Sequence, residues 1–198
     1  MFSKVPVVFR MIGYLPRLLL GRLFHVVQGS FSYHRRSSAM PLTFMMVFIA
    51  PAGIFLVAIV IPWPALTWVM AVILGYALVY TASLYASMIA LPHKISNNTL
   101  VLRYGAIASA TIHCSLIKSA VISREWFGQT GDGLKLGLAE STACFSIGSA
   151  TSMKLELKAP LRLMMWGKNT EPVSWIYFHA DDPEGMVTEI TRNCESNS

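Results

Sequence analysis

The sequence predicts a membrane α-hairpin followed by an α+β domain, an antiparallel β-sandwich or small barrel of about seven strands closed by a C-terminal helix. Three observations lead there. Residues 37–92 contain no Asp, Glu, Lys or Arg. Residues 93–198 break into short runs of Val, Ile, Thr and aromatic residues, separated by Gly and Asn. Near its end that pattern gives way to a helix start, Asp181-Asp182-Pro183-Glu184. Composition agrees: 54% of the 198 residues are hydrophobic and 13% charged, about half the charge of an average soluble chain. Such a composition excludes intrinsic disorder.

The first 40 residues form a basic segment. Lys4, Arg10, Arg17, Arg22, Arg35 and Arg36 stand there with no acid before residue 37. On a helix, Arg10, Tyr14, Arg17, Gly21, His25 and Gln28 share one face, and Ile12, Leu15, Leu19, Leu23 and Val26 the other. A basic amphipathic helix of this kind lies in the plane of an anionic membrane, so Arg10, Arg17, Arg22, Arg35 and Arg36 are the expected lipid-headgroup contacts. Two other readings stand beside it: a plain orientation signal without fixed structure, and an Arg-rich targeting presequence. Arginines interrupt any apolar core long enough for a cleaved secretory signal.

Residues 41–92 are expected to form two spans, about 42–61 and 65–91, each near the roughly 20 apolar residues that cross a bilayer. Pro62-Trp63-Pro64 is the turn, because two prolines so close cannot both continue a helix. Trp63 and Trp68 suit a membrane–water interface, and Pro51 with Gly53 predicts a kink. Six basic residues precede the first span and Lys94 follows the second. Both termini are therefore expected in the cytoplasm. In the second span Ala82, Ser83, Ala86 and Ser87 form a stripe of small residues, which lets helices approach closely. Packing within the hairpin and a contact between two copies both fit it. No ionisable residue apart from tyrosine lies in either span, which counts against a transporter.

Residues 93–198 hold ten basic and ten acidic residues. The basic excess therefore lies outside them, and nucleic-acid binding is not expected. Asn97-Asn98 reads as a turn, followed by strands at Leu100–Tyr104 and Ile107–His113, with Gly105-Ala106 between them. Further strands are expected at 118–126, 134–138, 143–147, 152–158, 161–166 and 173–180. The cleanest alternation is Met153-Lys-Leu-Glu-Leu-Lys158. The last helix should run over about 182–193, with an Asp cap and Pro at an allowed first-turn position.

The turn and strand Asn97-Asn-Thr-Leu-Val-Leu-Arg-Tyr-Gly105, and the strand-to-helix join Tyr177-Phe-His-Ala-Asp-Asp-Pro183, resemble a pleckstrin-homology-like domain. With a hairpin in front, residues 42–193 resemble the small bacterial membrane proteins that carry one. The resemblance implies a fold and little chemistry. Phosphoinositide-binding members of that fold use a basic loop between the first two strands. Here Arg103 is the only charge near Tyr104-Gly105-Ala106, so a multiply charged headgroup is not expected to bind specifically.

Motifs for catalysis are wanting. The cysteines, Cys114, Cys194 and Cys144, form no C-x-x-C pair, which excludes a disulfide scaffold and gives no cysteine zinc site. His113 and Cys114 are strand neighbours pointing to opposite faces, so Cys114 reads as a buried structural cysteine. His179 with Asp181 and Asp182 lacks a ligand spacing, and helix capping accounts for the acids. No phosphate loop and no G-x-S-x-G occurs. Trp126, Phe127, Trp166 and Trp175 read as core aromatics. The expectation is a non-enzymatic, membrane-anchored binding or scaffold module without cofactor or metal. Its partners would be membrane lipids, and a protein or a second copy through the hairpin. The alternatives are an anionic-lipid sensor and a small transporter or channel subunit.

Overall fold

The computed structural model of the chain describes residues 6–16, 29–35, 37–61, 63–125, 132–136, 141–147 and 150–195. A short helix α1 (Val7–Ile12) and a two-residue strand β1 (Ser30–Phe31) precede two long helices, α2 (Ala39–Val60) and α3 (Pro64–Ala90). Both are long and apolar enough to cross a membrane. α2 ends at Ile61, and Pro64 takes the first position of α3, where a missing N–H costs nothing. α2 stays helical through Pro51, and Gly53 lies against Leu74, where a Cβ would stand 3.3 Å from its Cδ1. Among the residues of α2 with described burial, only Ala50 is buried, and Phe44, Phe48, Phe55, Leu56 and Ile59 are exposed.

α3 has two regimes. Its first half exposes Trp68, Val72, Ile73 and Tyr76. Its C-terminal part buries Thr81, Ser83, Ala86, Ser87 and Met88. Its 27 residues at ~1.5 Å each make a rod of about 40 Å, some 10 Å longer than a hydrocarbon core. The surplus is the part held by the rest of the protein.

The β domain follows without a linker. Its strands are β2 (His93–Ser96), β3 (Thr99–Tyr104), β4 (Ala108–His113), β5 (Ile117–Ile122), β6 (Gly133–Leu136), β7 (Thr142–Ser146), β8 (Met153–Met165) and β9 (Lys168–Phe178). A 3-10 turn, Cys114–Leu116, joins β4 to β5, and helix α4 (Pro183–Glu195) closes the chain. The order across the sheet is β1-β2-β3-β4-β8-β9-β7-β6, with β5 also on β8. The described strands thus number nine against the expected seven. β2 hides behind the polar His93, Lys94 and Ser96. β8 is one strand where two were expected: Pro160, lacking an N–H, sits where the ladder to β9 shifts register, and the strand continues beyond. One pair is parallel, β7 on β9, and β7 is buried at every residue, as parallel strands usually are.

Two hairpins turn on two residues with positive φ. Asn97 (50°) and Asn98 (59°) link β2 to β3, and Trp166 (52°) and Gly167 (79°) link β8 to β9. This is the tight geometry whose twist matches that of paired strands. Asn is at ease there; tryptophan rarely is. The core gathers Leu100, Leu102, Ile112, Phe145, Met153, Leu155, Leu163, Ile176 and Phe178 from the sheet. Met186 and Ile190 join from α4, Met88 from α3, and Val7 and Met11 from α1. Met153, Leu155 and Leu157 alternate inward as their spacing requires. Asp182 Oδ1 accepts the Gly185 N–H at 3.0 Å and caps α4.

Two expectations need correction. Cys114 is buried but not a lone structural thiol: it is disulfide-bonded to Cys194, 80 residues away, with Cα atoms 5.1 Å apart. A spacing that long leaves no local signature. Trp166 is not core; it is 45% exposed on its turn. Trp175 lies under the Lys154 ammonium, 4.4 Å from the ring centre, and residues 126 and 127 fall outside those described.

Candidate anion pocket

The tip of the β3–β4 hairpin docks on the end of α3. Gly105 sits at φ 50°, where a Cβ would collide with Ser87 Oγ. Only glycine allows the chain this close. Ala106 N–H donates to Ser87 Oγ at 3.3 Å, and Gly105 N–H to the Tyr33 hydroxyl at 2.7 Å. Burial raises the Tyr33 phenol well above its usual range. The Tyr33 ring stacks on His93 at 4.4 Å. His93 Nδ1 accepts the Arg103 N–H at 3.1 Å, and its Nε2 lies 3.0 Å from the His179 carbonyl. With Nδ1 accepting, Nε2 carries the proton and donates, so the ring is neutral. Burial pushes its pKa down to about 4. On α2 a second clasp forms: Asp132 Oδ2 accepts from Ser37 Oγ, Ser38 N–H and Ser38 Oγ at 3.0, 2.9 and 2.8 Å. Its charge faces the positive end of the helix.

Beside this dock lies a crevice of about 240 Å³ whose lining includes Arg10, Tyr14, Leu91, Arg103, Ala106 and Met164. α1 supplies Arg10: Val7 and Met11, one turn apart, bury into the core and leave Arg10 on the side of the crevice. β3 supplies Arg103, whose neighbours Leu102 and Tyr104 point inward. No carboxylate lines the crevice among the described residues. No ion pair among the described residues involves either arginine. Arg10 Nε is buried without a hydrogen-bond partner. A buried donor of this kind is costly unless something accepts from it. Met164, on the crevice lining, is exposed, as are Phe9 and Trp166, the chain neighbours of the lining residues Arg10 and Gly167. The arrangement suits an anion that brings apolar chains with it.

The chain matches no known protein family, no curated protein and no solved structure. The geometry therefore stands alone.

The expected headgroup residues fall into three groups. Arg10 lines the crevice. Arg35 is exposed. Arg17, Arg22 and Arg36 lie outside the described residues. The helix expected over residues 5–28 is seen at Val7–Ile12, and residues 17–28 are not described. Of the small-residue stripe, Ser83 donates to the Val79 carbonyl at 2.6 Å, Ala86 is fully buried, and Ser87 holds the β3–β4 tip. Sequence reasoning missed Arg103 as a site residue. Arg10 and Arg103 are 93 positions apart, and only the docking of α1 on α3, which also holds the β3–β4 tip, brings them to one crevice. Among the described residues no cluster of His, Cys, Asp and Glu is placed to hold a metal ion. His179 Nε2 and Asp181 Oδ1 stand 3.7 Å apart. Burial opposes charge on Asp181, but His179 and nearby donors outweigh it and leave the carboxyl below its usual range.

Proposed function

We propose that the protein is a membrane-anchored, non-enzymatic binding module whose β domain reads the anionic headgroup layer. In this reading α2 and α3 cross the membrane, both flanks face the cytoplasm, and the domain is pleckstrin-homology-like in its strand-rich body and closing helix. The observation that supports it best is the convergence of Arg10 and Arg103 on one crevice, without a carboxylate among its described lining residues, at the C-terminal end of α3. A span starting at Pro64 reaches the inner hydrocarbon boundary after about 20 residues, near Leu84. Leu91, which lines the crevice, then stands at headgroup depth. Two guanidinium groups match one phosphate diester, and Phe9 and Trp166 provide apolar and interfacial contact. The ligand class is a phospholipid with a single anionic phosphate, not a multiply phosphorylated inositol.

Native mass spectrometry of the full chain in mild detergent tests this. The wild type is expected to retain one anionic phospholipid, added as phosphatidylglycerol, in preference to phosphatidylcholine. Each arginine near an anionic surface contributes on the order of 1 kcal/mol, so an Arg10→Ala, Arg103→Ala double variant should retain about thirtyfold less. Equal retention of both lipids, or retention unchanged in the double variant, rejects the reading.

A further inference from the structure

The disulfide sits at the other end of β3 from the lipid crevice and borders a crevice of its own. That space, about 520 Å³, is lined by Asn98, Ser115, Lys118, Lys158, Thr191 and both bonded cysteines. Cys114 opens the 3-10 turn and is 4% exposed, whereas Cys194, in the last turn of α4, is partly exposed. The charge map sets this domain on the cytoplasmic side, where thiol pools reduce accessible disulfides. A bond that lines an open crevice on that side is not a passive staple. We propose that Cys114–Cys194 is a thiol–disulfide exchange site whose substrates are small thiols or protein dithiols, and that it latches and releases the last turn of α4. The proposal rests on the cytoplasmic orientation given above.

The step balances as follows. An incoming thiolate attacks Sγ of Cys194, the more exposed of the two residues. The Sγ–Sγ bond breaks, and Cys114 leaves as a thiolate. A second thiolate, from the same dithiol or another thiol, then displaces Cys194 and forms the reductant's own disulfide. Two electrons pass to the protein, and two protons complete the thiols of Cys114 and Cys194. Lys158, on the wall of the same crevice, favours the thiolate forms, whereas Lys118 there is paired with Glu156 at 2.6 Å. The helix itself stays docked, because Met186 and Ile190 remain in the core. Only its last turn is released. Cys144 supplies the contrast: it is wholly buried, and burial pushes its thiol up to about 12. It will not take part.

The test is differential thiol labelling of the full chain in its own membranes and then in detergent, in glutathione buffers of rising reduction. In the folded protein, Cys114 and Cys194 should both become labelled under reducing buffer and both lose label again under oxidised glutathione, with Cys144 unlabelled until denaturation. A Cys114→Ser variant should carry one glutathione on Cys194. A bond that resists millimolar dithiol until the protein is denatured overturns the proposal. So do thiols that never oxidise. In intact cells a membrane-impermeant maleimide should fail to reach Cys194 in that variant. Labelling from outside would overturn the orientation, and with it the reducing pool that exchange requires.

Discussion

β3 is six residues long, a span of about 20 Å, and the domain is held differently at its two ends. At the Gly105 end the hold is non-covalent: close backbone approach to Ser87, hydrogen bonds from Ala106 and to Tyr33, and a neutral buried His93. At the Asn98 end it is covalent, through Cys114 and Cys194. The first hold depends on shape and protonation, the second on redox state. The same fold should therefore loosen at one end in acid and at the other in reductant.

The largest expected effect comes from breaking the first hold by shape. Gly105→Val adds a β-branched side chain at positive φ and drives it into Ser87. It should cost about 5 kcal/mol, seen as loss of the cooperative thermal transition in detergent. Cys194→Ser removes the second hold. Closing an 80-residue separation is worth about 4 kcal/mol in the chain-entropy view. The variant should lose that much against oxidised wild type in denaturant titration, and nothing against reduced wild type.

Acid separates the two ends next. His93 has its folded pKa lowered to about 4, so below pH ~6.5 the unfolded chain binds the proton that the folded chain refuses. Its contribution is whole above pH ~6.5 and falls by about 3 kcal/mol as pH drops towards 4. Asp181, lowered, and His34, lowered by burial, act with the same sign. His93→Gln should flatten the pH profile of the transition midpoint while leaving the thiol labelling pattern unchanged. The smallest effect is a gain. Trp166→Asn puts a residue suited to positive φ on the β8–β9 turn and should stabilise by roughly 0.5 kcal/mol. The same variant should weaken retention of anionic lipid, measured by native mass spectrometry.

Much of the fold was legible because it is written locally. Asn97-Asn98 announces its hairpin, Met153 to Lys158 its alternation, Asp182-Pro183 its helix, and the uncharged residues 37–92 their two long helices. The candidate site was legible by halves. Arg10 stood out as a basic residue on an amphipathic pattern, but nothing local tied it to Arg103. Ser87 read as one more small residue in an apolar helix, whereas its hydroxyl serves a strand tip brought there by folding. Cys114 and Cys194 likewise meet only in three dimensions. Trp166 was misread because an exposed turn and a buried strand both admit an aromatic residue; only the sign of φ separates them.

The union of α3 with the β domain has a mechanical consequence. No flexible joint lies between Ala90 and His93, and Ser87, Met88 and Gly105 lock the two bodies together. A rod fixed to its load turns with it. If α3 spans a bilayer as proposed, a 27-residue helix leans where the bilayer thins to keep its apolar length covered, and the domain must lean by the same angle. In the proposed reading, membrane thickness thus sets the attitude of the domain relative to the bilayer.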